Sequence, residues 1–123
     1  MADHVHDDRC SHPSQEVVLH GCKTLAAVQA AAWANKVAKG FNLTDVPLEF
    51  CLLSAEVSEA FEAWRKQRDV GPELADVAIF TAGLAQMLGI DLAAAVQAKL
   101  AVNAGRTYRA LENGCHVKDA AAE

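Results

Sequence analysis

Two short stretches decide how this chain is read: Ala55-Glu56-Val57-Ser58-Glu59 and, after the intervening residues 60–72, Glu73-Leu74-Ala75-Asp76. Each carries two carboxylates at i and i+3 in a segment with helical periodicity. Residues at that spacing share a helical face, with Cβ atoms about 5–6 Å apart. At roughly 100° per residue, Glu56 and Glu59 fall on the side of Leu48, Leu52 and Ala63, while Ser54, Ser58 and Arg65 face the other way and Glu62 lies at one edge. Glu73 and Asp76 share a face with Val77, Phe80, Leu84 and Met87. A single acidic pair on a helix usually marks a solvated face. Both pairs here interrupt apolar stripes, and inward-pointing acids are candidates for function. Two such helices packed together gather four carboxylates, which cannot all stay ionised away from water without cations. Oxygen-only donors suit a hard divalent ion such as magnesium.

Working outward, helix punctuation divides the rest of the chain. Thr24 is a cap for a first helix running to Lys39, and Gly40 suits its stop. Leu25, Val28, Ala32 and Val37 recur along it at roughly helical spacing, and Lys36 and Lys39, which could reach phosphates from this helix, are read as a solvated helix end. Pro47 fits the first turn of a second helix reaching about Gln67. Asp69-Val70-Gly71-Pro72 breaks the chain, and a third helix starts at Pro72 or Glu73 and ends before Gly89. That helix is apolar nearly all round, so it needs cover on most sides, some of it from another subunit. Asp91 caps a fourth helix ending near Asn103. No stretch alternates with a period of two for long enough to predict a strand. The expected architecture is all-α, with four helices joined by short loops. Residues 1–23 are read as a flexible polar tail, 24–110 as the helical domain and 111–123 as a frayed C-terminal tail.

The 123 residues suffice for one domain with a real core. Hydrophobic residues make up 52%, many of them alanine, which favours helix. The net charge of −5, without a basic cluster, argues against duplex nucleic acid as a partner. No apolar run approaches the roughly 20 residues that cross a bilayer. The polar, acidic N-terminus lacks a secretory pattern, so a cytoplasmic protein is expected, with no membrane partner. The cysteines, Cys10, Cys22, Cys51 and Cys115, form no compact framework, and Cys51 is expected to be a buried thiol. The run His4-x-His6-x-x-x-Cys10-x-His12 is read as part of the tail rather than as a metal site.

The order of motifs resembles the MazG-like, all-α nucleotide pyrophosphohydrolases. Glu-x-x-Glu is followed by Glu-x-x-Asp and then by Lys-x-x-x-Asn-x-x-Arg, here Lys99, Asn103 and Arg106. The resemblance covers roughly residues 25–109. It implies a four-helix module assembled as a dimer or tetramer. It also implies magnesium, or manganese, held by Glu56, Glu59, Glu73 and Asp76, with Glu56 and Glu59 in catalytic roles. Lys99 and Asn103 match positions that contact phosphate or sugar, and Arg106 matches a basic position near the phosphates. The implied reaction cleaves a nucleoside triphosphate, ribo or deoxy, to the monophosphate and pyrophosphate, in nucleotide pool control or cleansing. Two positions depart from the family: Ala55 where many relatives carry a further acid, and Phe80 where a tyrosine is common.

Trp33 and Trp64 are candidates for stacking on a base, although aromatics at helical spacing more often belong to a core. A di-iron bundle would need Glu-x-x-His pairs, and none occurs. Phosphoribosyl-ATP pyrophosphohydrolase is an alternative with the same fold type and the same bond cleaved. A non-catalytic nucleotide-binding or helical interaction protein is another.

Overall fold

A computed structural model of the chain describes residues 24–119. The elements, in order, are α1 (Leu25–Lys39), α2 (Val46–Arg65), α3 (Gly71–Met87), α4 (Leu92–Ala104), β1 (Tyr108–Ala110) and β2 (His116–Lys118). The all-α expectation holds for the four helices, and their limits follow the local chemistry. Thr24 accepts a hydrogen bond from the Ala27 amide, Asp45 from Leu48 and Asp91 from Ala94. Each cap satisfies an amide that the first helical turn would leave orphaned. Gly40 closes α1 in the left-handed region at φ 68°, which glycine enters without a Cβ penalty. Gln67 closes α2 in the same region at φ 57°, and the following amide, Arg68, donates back to the Ala63 carbonyl at 2.8 Å.

Helix α3 is the centre of the packing, with α1 and α2 against it and α4 touching α1 and α3. Ala32, Ala60, Ala63, Ala82, Leu84 and Ala85 make the apolar core. A core this rich in alanine lets helix backbones approach closely, but it buries few large side chains. The C-terminal half of α3 is buried from Ala82 to Ala85, while Leu74 and Ile79 nearer its start remain exposed. Helix α4 buries no residue within the single chain. Gln29 ties α1 to the end of α3 and the turn into α4: its amide nitrogen donates to Gln86 and to the Ile90 carbonyl, and its oxygen accepts from the Leu92 amide.

Three readings of the sequence are corrected. Residues 108–118 form an antiparallel hairpin, with Tyr108 opposite Lys118 and Ala110 opposite His116, where the end of the helical domain and a frayed tail were expected. Strands of three residues are too short to show a period of two. Cys51 is exposed, because it lies on the face of α2 turned away from α3. Lys36 is buried at 8% exposure instead of forming a solvated helix end. The tail at 1–23, with its histidines, Cys10 and Cys22, lies outside the described residues. No single described helix is long and apolar enough to cross a membrane.

Candidate metal centre

Helices α2 and α3 bring the two acidic motifs together. Glu56, Glu59 and Glu73 each offer a carboxylate oxygen, and these oxygens lie within 4.8 Å of one another. Glu73 stands in the first turn of α3, where the helix dipole favours negative charge. Glu56 Oε2 is buried and has no hydrogen-bond partner among the described residues. Burial pushes the Glu56 carboxyl above its ordinary range. The charges of Glu59, Asp76 and Glu73 push it further the same way. A carboxylate crowded by like charges, with an orphaned buried oxygen, is what a divalent cation relieves. The donor set therefore fits a hard cation bound through oxygen.

Asp76 completes the charge cluster from one turn further along α3, and it also lines a cavity of about 550 Å³. Leu48, Leu52, Ile79 and Phe80 line the same cavity, as does Phe41 from the loop between α1 and α2. The apolar stripe that flanks Glu56 and Glu59 in the sequence is thus in part the wall of a cavity beside the acids. Phe80 takes its place there without a hydroxyl to offer.

The inner polar group of the cavity was not singled out from the sequence. Glu49 is 1% exposed and pairs with Lys36 of α1. Its second oxygen accepts from Asn42 at 3.1 Å. Asn42 also donates to the Asp45 carbonyl at 2.7 Å, and its oxygen accepts from the Asp45 amide, so one side chain fixes the α1–α2 loop. The clue was present in register: Glu49, Leu52, Glu56 and Glu59 form one stripe, as do Gln29, Ala32 and Lys36. Lys36 fits beside α3 because residue 83 is glycine. A Cβ at that position would lie 3.1 Å from Lys36 Cδ.

The other candidates are placed apart from these groups. Lys99 and Asn103 are exposed on α4, and Arg106 is half-buried and donates to Asn103 at 3.2 Å. Trp64 is 65% exposed and stacks on Phe61, with ring centroids 5.9 Å apart. Trp33 is half-buried on α1. None of these five lines the cavity beside the acids. Glu62, at the edge of the α2 stripe, pairs with Arg65 and Lys66, whose hydrogen bonds hold it below the ordinary carboxylate range.

A solved structure of the Cyanophage S-2L MazG-like pyrophosphohydrolase, bound to dGDP and three catalytic Mn2+ ions per active site, superposes with a TM-score of 0.67 at 29% identity. The match covers 81% of this chain and 96% of that one. The chain is thus similar to a MazG-like pyrophosphohydrolase in fold and in sequence. Two curated proteins similar to this chain carry the name dATP/dGTP diphosphohydrolase. That of Salmonella phage PMBT28 is 37% identical over 76% of this chain. That of Cyanophage S-2L is 45% identical over 34% of it. The chain spans 31% of the length of the first relative and 40% of the second. No family model matches it.

Proposed function

We propose that this MazG-like chain is a metal-dependent pyrophosphohydrolase that cleaves nucleoside triphosphates, with purine deoxynucleotides its preferred class, to monophosphate and pyrophosphate. The observation that carries the reading is the meeting of Glu56, Glu59 and Glu73 within 4.8 Å. The cavity that Asp76 shares with this cluster supports it. The S-2L neighbour, solved with a deoxyguanosine nucleotide and manganese, and the names of the two relatives favour the same substrate class.

Glu56, Glu59, Glu73 and Asp76 would hold magnesium or manganese. Bound there, the metal supplies charge neutralisation for the phosphates and a lowered pKa for water. Glu59 is the exposed member of the trio, and we assign it to accept the proton of the attacking water. The water oxygen bonds to the α-phosphorus, the bond from that phosphorus to the bridging oxygen breaks, and pyrophosphate leaves with the electron pair. Positioning and charge compensation dominate such a transfer. We propose that Lys99, Asn103 and Arg106 contact phosphate or sugar from another copy in a dimer or tetramer. The exposure of Leu74, Leu100, Phe61 and Trp64 in the single chain favours such self-association. A nucleoside triphosphate substrate is consistent with a cytoplasmic enzyme without duplex nucleic acid or membrane partners.

The test is pyrophosphate release from a panel of canonical and modified ribo- and deoxynucleoside triphosphates, with phosphoribosyl-ATP included. Each is assayed with magnesium, manganese or EDTA, for wild type and Glu59→Gln. Release that requires metal and collapses in the variant supports the reading. Absence of release from every nucleotide leaves a non-catalytic binding role on the same fold.

A further inference from the structure

Resting on the pyrophosphohydrolase reading, we infer that Lys36 is a specificity-determining residue that donates hydrogen bonds to O6 and N7 of a 6-oxopurine seated in the cavity. The acids that would hold metal and phosphate reach the cavity at Asp76. Phe41, Leu52, Ile79 and Phe80 give the remainder apolar and aromatic walls. Such walls suit the faces of a flat base and not a phosphate. With the triphosphate at the acids, the base extends into the cavity.

Of the polar residues that line the cavity, Asn35 is exposed and Asp76 belongs to the acidic cluster; the other three are unequal. Asn42 is committed: its nitrogen serves Asp45 and Glu49, and its oxygen serves the Thr44 and Asp45 amides. Glu49 is committed through both oxygens, to Lys36 and to Asn42. Lys36 is not. An ammonium carries three N–H donors, and among the described residues the one acceptor of Lys36 is Glu49. A cation more than nine-tenths buried with donors to spare gains from a ligand that offers acceptors. It offers none in return, so it discriminates against amino groups. Guanine presents O6 and N7 side by side, a pattern that lysine binds in bidentate fashion, whereas adenine replaces O6 by an amino group. Glu49 acts as a positioning residue that holds the ammonium in place.

The test is equilibrium binding, in buffer with magnesium, of dGMP, dAMP, 7-deaza-dGMP and the monophosphate of 2-aminopurine deoxyriboside. These ligands separate N7 from O6 and need no turnover. Wild type is expected to bind dGMP about 10-fold more tightly than dAMP or either analogue. The double variant Lys36→Met/Glu49→Gln removes both charges together, and, with its fold checked by thermal melting, is expected to bind dGMP no better than dAMP. Equal binding of the four ligands by wild type overturns the inference, and so does absence of binding to all of them. A folded double variant that keeps the dGMP preference also overturns it. The wild-type comparison decides the matter if the variant does not fold. A dGMP preference without pyrophosphate release from any triphosphate defeats the catalytic reading alone, and release without a base preference defeats the role of Lys36 alone.

Discussion

Lys36 of α1 and Glu49 of α2 form an ion pair in the interior, in space that Gly83 of α3 leaves open. A buried pair of this kind adds little net stability, because desolvation offsets the attraction, but breaking it strands a charge. Glu49→Leu is therefore expected to cost about 3–5 kcal/mol. Lys36→Met/Glu49→Gln is expected to cost less than half as much. Urea denaturation of the three proteins checks the contrast.

The same packing makes position 83 sensitive to size. Alanine gains about 1 kcal/mol of helix propensity over glycine, which offsets the few tenths of an ångström that Lys36 must yield. Gly83→Val adds branches with nowhere to go and is expected to cost about 1–3 kcal/mol through overpacking. Thermal melts of Gly83→Ala and Gly83→Val, compared with wild type, separate the two effects.

Glu56 gives the metal-free protein a pH dependence of definite sign. Its folded carboxyl titrates above the unfolded one because of burial and its acidic neighbours. The folded state thus holds more protons than the unfolded state between the two values. The contribution of Glu56 to stability falls as pH rises from the ordinary carboxylate range through its raised pKa, and the penalty is complete above that. Glu56→Gln removes the penalty. In EDTA, its melting temperature is expected to exceed that of wild type by more at about pH 8 than at about pH 5. Adding manganese at the higher pH is expected to stabilise wild type and not the variant, since binding to the folded state alone raises the melting point.

Gln29 ties α1 to the turn between α3 and α4 through three hydrogen bonds. Gln29→Leu leaves the Leu92 amide without its acceptor and is expected to cost about 1–3 kcal/mol. Hydrogen exchange should quicken most at Leu92 and its neighbours.

Helix α4 has no buried residue in the single chain, and Leu100 is 62% exposed. Light scattering is expected to give at least the mass of a dimer, and Leu100→Glu is expected to shift it toward the monomer. A monomeric wild type would contradict the proposed assembly.

The helices were legible because their signals are local. Thr24, Asp45 and Asp91 cap the turns that follow them, Gly40 closes α1, and the acidic pairs at i and i+3 declare a shared face whatever lies opposite. These features fix four helices, their limits and the pairing of Glu56 with Glu59. The sequence also carried the order of motifs by which the chain resembles the MazG-like enzymes. Only the tertiary structure decided which groups meet across helices. It brought Glu73 beside Glu56 and Glu59, and it left Lys99, Asn103, Trp33 and Trp64 off the cavity. It buried Lys36 against Glu49, a pairing set by the packing of α1 and α2 against α3 and by a missing Cβ at residue 83. A lysine near a helix end gives no local sign of that fate, because burial depends on what a distant helix leaves open. The hairpin at 108–118 was hidden for a related reason: strands of three residues carry no periodicity, and their pairing exists only when the chain folds back.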